Sequence, residues 1–173
     1  MSERGHIGGL AALPLLALAL AAACSSTACY DNQSAIPLAE FRDKETDKAV
    51  TVSGVEVYGI GAPGDSLLYT GTSTSQVYLP MRSSAQSVTW CFHYRQEGLD
   101  SVIYNDTISF SYGSRPWFAS EECGAMYVYD IRRMSYTRNV IDSMAILDSL
   151  ITNVDDPRIA IYFKTADEGE DEQ

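Results

Sequence analysis

Basic residues and histidines are scarce in this chain of 173 residues. Twelve lysines and arginines stand against 23 acidic residues, and the formal net charge is −11 with only two histidines. A surface of this sign repels phosphate backbones, and the sequence has no basic patch with interleaved aromatic residues. We therefore expect no nucleic-acid partner.

Motifs for catalysis and cofactor binding are also missing. The sequence contains no glycine-rich phosphate loop, no calcium-binding loop and no Gly-x-Ser-x-Gly nucleophile elbow. Cys91 and His93 form a Cys-x-His pair, but a zinc site needs three or four ligands. We predict no metal, no cofactor and no enzymatic activity. A hydrolase that uses His93 in a spatially assembled triad is the remote alternative.

Charge is absent from residues 7–23, and residues 10–23 are almost wholly leucine and alanine. This length fits a secretory signal and is short for a membrane span, which needs roughly 20 residues. The run ends in Ala21-Ala22-Ala23-Cys24, where small residues suit cleavage and a cysteine after the cut becomes lipidated. A lipoprotein signal usually has leucine at the position of Ala21. We predict a signal peptide over residues 1–23 and lipidation of Cys24.

Acyl chains such as palmitate on Cys24 would hold the chain to a membrane. The alternatives are a plain secretory signal cut after Ala23 and an uncleaved membrane helix. Ser25 follows Cys24, with no acidic residue or acidic pair nearby, which favours an outer-membrane lipoprotein of the cell envelope that faces the periplasm. Beyond the membrane itself, we expect an envelope protein or a glycan as partner.

Three regions follow the signal. We predict a polar tether over residues 24–34, one domain over residues 35–165, and an acidic disordered tail over residues 166–173, which is too polar to pack. About 130 residues are enough for a single domain with its own hydrophobic core.

Cys29, Cys91 and Cys123 remain once Cys24 carries lipid, and two of them should pair in an oxidising compartment. The sequence allows three pairings, or three free thiols. Cys91 lies in the middle of a strand pattern, whereas Cys29 and Cys123 lie beside strand ends, which favours Cys29–Cys123. This bridge would close a loop of about 95 residues and contribute about 4 to 5 kcal/mol.

Short segments of alternating apolar and polar residues dominate the rest of the chain. The clearest is 87–95, where Val88, Trp90, Phe92 and Tyr94 share one face. Segment 139–151 fits both a helix and strands, and its neighbours favour strands. The other predicted strands are 36–42 at a sheet edge, 50–60 with a break at Ser53-Gly54, 67–70, 76–81, 101–112 with Val102 and Tyr104 inward, 125–133 with Tyr127 inward, and 158–163.

Seven to eight short strands with turn signals between them predict an all-β fold, a single antiparallel β-sandwich, immunoglobulin-like or similar. Residues 113–122 are expected to form a loop. Trp117 in this loop is the candidate for binding a glycan or peptide, because most other aromatic residues lie in register with a predicted core. The function predicted is a non-catalytic envelope lipoprotein that serves as a structural or interaction module. The alternative is a glycan- or peptide-binding accessory lipoprotein.

Four short parts of the sequence form a pattern: Cys29, the strand end Val77-Tyr78-Leu79-Pro80-Met81, the segment Ser120-Glu121-Glu122-Cys123-Gly124-Ala125-Met126-Tyr127, and the closing strand Arg158-Ile159-Ala160-Ile161-Tyr162-Phe163. Together they resemble an uncharacterised lipoprotein family of Bacteroidetes. The resemblance implies a β-rich fold and the pairing Cys29–Cys123, and it implies no activity. Cys91 is additional to the family pattern.

The triplet Asp-(Ser/Thr)-aliphatic occurs five times and is similar to the O-glycosylation signal of Bacteroidetes envelope proteins. Turns at the starts of strands favour the same triplet for structural reasons alone. The candidate acceptors are Ser66, Ser101, Thr107, Ser143 and Ser149.

Overall fold

The computed structural model describes residues 34–61, 66–120 and 124–164, and these residues form two β-sheets. The predicted signal peptide, most of the tether, Cys24, Cys29, Cys123 and the acidic tail lie outside the described residues. The strands are β1 (Leu38–Arg42), β2 (Val52–Gly59), β3 (Leu67–Thr74), β4 (Gln76–Tyr78), β5 (Ser87–Tyr94), β6 (Asp106–Ser120), β7 (Gly124–Tyr136), β8 (Ile141–Ile146), β9 (Leu150–Ile151) and β10 (Pro157–Phe163). A 3-10 helix, Val102–Tyr104, lies between β5 and β6.

The two sheets confirm the predicted all-β, sandwich-like fold. The smaller sheet has the order β4-β1-β10-β8, and the larger has the order β3-β2-β5-β6-β7-β9. All of these pairs are antiparallel except β1 and β10, which run parallel. The prediction that the first strand lies at an edge is wrong. Pro37 precedes β1, so the missing N–H of the proline is not required by the ladder.

The core lies between the sheets and is rich in aromatic side chains. Phe41 of the smaller sheet and Phe92 and Tyr94 of the larger are fully buried. The ring of Phe163 packs edge-on against Phe41 at 5.1 Å and against Tyr94 at 6.1 Å between centroids. Such edge-to-face pairs contribute beyond the area they bury. The inward face predicted for β5 is therefore confirmed.

Gly54 produces the change of phase in β2. The register between β2 and β3 shifts between Val52 and Val55, as expected for a bulge. Gly54 has a φ of +65°, and a Cβ there would lie 2.8 Å from the carbonyl oxygen of Arg95. Only glycine fits this backbone and this contact. The break predicted at Ser53-Gly54 is thus confirmed.

Two segments differ from the sequence expectation. The predicted strand 101–112 begins only at Asp106, and Val102, expected to point inward, is 78% exposed in the 3-10 helix. The predicted loop 113–122 instead continues β6 through Ser120, paired with β7. Pro116 suggested a loop, but β5 pairs with β6 no further than Ser111. Pro116 therefore lies on a strand with one open edge, where proline is tolerated.

The ambiguous segment 139–151 forms strands, as its neighbours indicated. It contains β8 and β9, and Ile141 and Ile151 are buried in the core. Its start is fixed by Asp106, a fully buried carboxylate at the beginning of β6. This carboxylate accepts hydrogen bonds at 2.8 to 3.1 Å from the backbone N–H groups of Asn139, Val140 and Ile141 and from the hydroxyls of Thr137 and Tyr94.

We expect Asp106→Asn to lower the free energy of unfolding by about 3–5 kcal/mol, because an amide removes a charged acceptor and turns an NH2 group towards buried donors. Urea denaturation followed by tryptophan fluorescence measures the change. Asp130→Asn is the matched control, since Asp130 lies exposed on β7. A loss for Asp106→Asn no larger than for Asp130→Asn would contradict this role.

Candidate functional site

His93 and Trp117, the described residues proposed for chemistry or binding, lie at opposite ends of the larger sheet. His93 follows Cys91 on β5, near the start of β6, whereas Trp117 lies far along β6. His93 and Cys91 form the candidate catalytic site, and Trp117 belongs to the candidate binding surface.

His93 has a partner on each ring nitrogen. Nδ1 lies 2.7 Å from Oδ1 of Asn105, and Nε2 lies 3.1 Å from Oδ1 of Asp100. Its side chain is only 12% exposed. Asp100 and Asn105 bracket the 3-10 helix, so His93 fixes this segment to the outer face of β5. The imidazole is engaged in structural contacts at both nitrogens.

Cys91 is a buried thiol next to this histidine in sequence. It is 4% exposed, and burial raises the pKa of the thiol, although hydrogen bonds with Tyr58 and Asn105 act in the opposite direction. A thiol becomes a nucleophile when its pKa is lowered, by a neighbouring cation for example. Asn105 bonds to both Cys91 and His93. Burial is the largest of these influences, and it stabilises the neutral thiol and does not activate it.

Among residues 34–61, 66–120 and 124–164, no group of three or more histidine, cysteine, aspartate or glutamate side chains is arranged to hold a metal ion. Within the same ranges no helix is long and apolar enough to cross a membrane.

The hairpin of β6 and β7 extends beyond the sandwich as a two-stranded ribbon. We call residues 115–120 and 124–127 the arm. On one side, β5 pairs with β6 only as far as Ser111. On the other side, β9 pairs with β7 only at Tyr129 and Asp130. The two strands of the arm therefore support one another chiefly by their own pairing.

Aromatic side chains emerge from both faces of the arm. Trp117 lies opposite Met126, whereas Tyr127 lies opposite Pro116 and Phe118 opposite Ala125. Opposed residues of an antiparallel pair share a face and successive residues alternate, so Trp117 is on one face and Phe118 and Tyr127 are on the other. Their exposed fractions are 45%, 63% and 47% respectively.

A charged group accompanies the tryptophan. The guanidinium carbon of Arg115 lies 5.2 Å from the centroid of the Trp117 ring, within the range of a cation–π contact. Both side chains are exposed. The pair combines a flat aromatic surface with a positive charge.

The β7 strand of the arm borders a cleft of about 390 Å³. Its far wall is the start of the described chain, Ser34 to Ile36, together with Pro80 and Met81. Tyr129 connects the two walls, since its hydroxyl donates to the carbonyl of Met81 at 3.1 Å. The chain therefore enters the domain beside the arm, at the end opposite to Asp106. The cleft is lined by Ser34, Ala35, Ile36, Pro80, Met81, Ala125, Met126, Tyr127 and Tyr129.

The structure thus changes the context of Trp117. The residue is exposed as expected, but it lies on a strand and has Phe118 and Tyr127 as companions that sequence reasoning missed. Alternation placed Tyr127 inward with Tyr129, and the two do share a face. The sandwich covers only Tyr129, which is 7% exposed. Tyr127 is exposed because the opposing sheet does not extend over it, and no local sequence pattern indicates where that sheet ends.

The five candidate glycosylation acceptors differ in accessibility. Ser66 and Ser149 are exposed, whereas Ser101, Thr107 and Ser143 are half-buried. The aspartates of several triplets have structural roles: Asp100 contacts His93, Asp106 is the buried acceptor described above, and Asp148 accepts the N–H of Leu150 at 2.9 Å in a turn. Ser143 donates its hydroxyl to Asp142.

Residues 50–163 match the model of a family of unknown function, DUF6452, and the chain belongs to this family. The match extends from just before β2 to the end of β10 and includes the whole arm. No curated protein and no solved structure matches the chain.

If the triplets are modified, exposure favours Ser66 and Ser149. We expect protein from its native host to exceed the mass of sequence plus lipid, and the double variant Ser66→Ala/Ser149→Ala to lose most of this excess. Intact-mass spectrometry measures it. Ser111→Ala is the control, because Ser111 is exposed on β6 outside any triplet. A native mass equal to sequence plus lipid would refute glycosylation.

Proposed function

We propose that this protein is a lipoprotein of the cell envelope, of the type found in Bacteroidetes, anchored to the outer membrane through Cys24 and facing the periplasm. Its β-sandwich acts as a non-catalytic structural or interaction module. The observation that carries the proposal is Ala21-Ala22-Ala23-Cys24 at the end of an uncharged apolar run. Acyl chains on Cys24 would give stable membrane attachment, since stable anchoring needs more than one lipid chain or a second signal.

The geometry at His93 supports a non-catalytic role. Both ring nitrogens have partners within the chain, and the neighbouring Cys91 is buried with a raised thiol pKa. A general base must be within reach of the proton that it removes from a substrate or nucleophile. His93 instead bonds to an amide and to a carboxylate that hold a surface segment in place.

Cys24→Ala should release the protein into the soluble fraction without unfolding it, because Cys24 precedes the domain and contributes to the anchor alone. Cell fractionation measures the release, and circular dichroism measures the fold. Ser25→Ala keeps the cysteine and is the matched control, expected to stay with the membrane. Retention of Cys24→Ala in the membrane fraction would overturn the lipid anchor and favour an uncleaved helix.

The proposed bridge Cys29–Cys123 is within reach of the described chain. Ser34 and Ala125 line the same cleft, and the two cysteines lie five and two residues before them in sequence. Extended chain spans about 3.3–3.6 Å per residue, so these intervals supply about 17 Å and about 7 Å. Cys91 is buried on β5 opposite Thr107, near the start of β6 and away from the arm. Pairing with Cys91 would require the domain to open.

Peptide mapping without reduction should find Cys29 joined to Cys123 and Cys91 as a free thiol. We expect alkylation of Cys91 to be slow in the folded protein and complete in denaturant, because burial shields the thiol and raises its pKa. Cys91→Ser is the control and should leave the bridge intact. Recovery of Cys91 within a bridge would contradict the pairing.

A glycan- or peptide-binding accessory lipoprotein is the second candidate. The observation that favours it is the exposure of Trp117 beside Arg115, since aromatic faces stack on sugar rings and cations add to the contact. Under this alternative a soluble glycan or peptide would shield Trp117 in the lipid-free protein.

A further inference from the structure

We propose that the arm rests on the bilayer surface that carries the lipid anchor, with Trp117, Phe118 and Tyr127 in the interfacial layer. The inference deepens the proposed function and rests on lipidation of Cys24. It assigns the partner of the arm as a lipid surface, a contact in addition to the acyl chains.

The position of the arm favours contact with the membrane. Ser34 borders the cleft beside the arm, and Cys24 lies ten positions before Ser34 in the sequence. Fully extended, these residues span at most about 35 Å, and the proposed Cys29–Cys123 bridge would leave only about 17 Å between the anchor and the arm. β6 is 15 residues long, or about 50 Å at the usual rise. The arm is therefore the end of the larger sheet that the anchor brings closest to the membrane.

Aromatic side chains are exposed on both faces of the ribbon. A protein docked on one face of the ribbon would leave either Trp117 or the pair Phe118 and Tyr127 in water. A bilayer interface surrounds whatever enters it and therefore covers both faces. Tryptophan and tyrosine are enriched at this depth, where an apolar ring and a polar group are both accommodated.

Charged side chains accompany the aromatic residues of the arm. Arg115 lies two residues from Trp117 on the same face, with its guanidinium over the ring. A long cationic side chain can keep its stem against apolar surface while its charge reaches the headgroup phosphates. Glu121 and Glu122 lie between the two strands of the arm in the sequence, and they oppose contact with an anionic bilayer. The surface that fits is therefore zwitterionic.

Three aromatic residues provide too little apolar area for stable attachment on their own. Once the anchor holds the protein on the bilayer, the arm stays close to the lipid surface. The resulting high effective concentration favours a contact that would be weak without the anchor. The lipid-free chain should consequently bind vesicles weakly, whereas the lipidated chain should hold the arm at the surface. The aromatic residues then set the orientation of the domain relative to the membrane.

The test uses the lipidated protein in phosphatidylcholine vesicles whose acyl chains carry bromine, a fluorescence quencher within the bilayer. The chain has two tryptophans, and Trp90 is buried in the core at 7% exposure. We expect about half of the emission to be quenched, since the interface reaches only Trp117. Trp117→Phe should abolish the quenching. Emission that is insensitive to bromine in both proteins, or quenched equally in both, would overturn the proposal.

Paired variants locate the contact. Phe118→Ser with Tyr127→Ser should reduce the quenching of Trp117, because the ribbon loses the apolar side chains of its other face. Ile103→Ser is the matched control: Ile103 is 69% exposed in the 3-10 helix at the far end of the domain, and its replacement should change nothing. An equal effect of the two replacements would contradict assignment of the contact to the arm.

Flotation of the vesicles separates failure of the anchor from failure of the arm. Wild-type protein that does not float overturns both the lipid anchor and the arm contact. Protein that floats without bromine quenching overturns the arm contact alone. If a soluble glycan instead shields Trp117 from aqueous iodide and bromine remains without effect, the arm is a glycan-binding surface and the membrane contact is refuted.

Discussion

The buried carboxylate of Asp106 is the interaction on which the order of the fold depends. It lies at the start of β6 and receives three successive backbone N–H groups at the start of β8. A carboxylate held by several donors in a low-dielectric interior is strongly stabilised, and each donor left without it would be costly. Through this contact a strand of the larger sheet fixes the point at which the chain crosses to the smaller one. Burial and the neighbouring Asp106 carboxylate also raise the pKa of Tyr94, which keeps its hydroxyl neutral as a donor.

At the opposite end of the molecule, the arm begins where the core ends. Tyr129 and Ile131 of β7 are buried, as is Val128, and beyond Val128 most side chains of the two long strands are exposed. Tyr78 at the end of β4 is bound to Asp155 at 2.7 Å, a contact that raises the pKa of the phenol to about 12. The smaller sheet is thus secured close to the point where the arm leaves the sandwich. The molecule therefore consists of two parts, the sandwich and the arm with its exposed aromatic side chains.

Much of the fold could be predicted from alternation, and the errors have physical causes. β5 was predicted in full because its apolar residues follow a period of two and pack against an opposing sheet. The segment before β6 differs from the expected strand, although Val102 and Tyr104 continue the alternation of apolar residues. The strand begins instead at Asp106, whose buried side chain is a carboxylate. Gly113 and Pro116 suggested a loop, and pairing with β7 overrode both residues. Trp117 was identified as exposed, but Phe118 and Tyr127 were not, because alternation assumes that a sheet is covered along its whole length.

The parallel pairing of β1 with β10 has a consequence for the order of events during folding. The first and last strands of the domain lie side by side in the smaller sheet, with Phe41 opposite Ile161, and contacts of such long sequence separation form late because the intervening chain must be ordered first. The smaller sheet cannot close until the last strand has been synthesised. The edges of this sheet are therefore exposed to aggregation until the two ends of the domain meet.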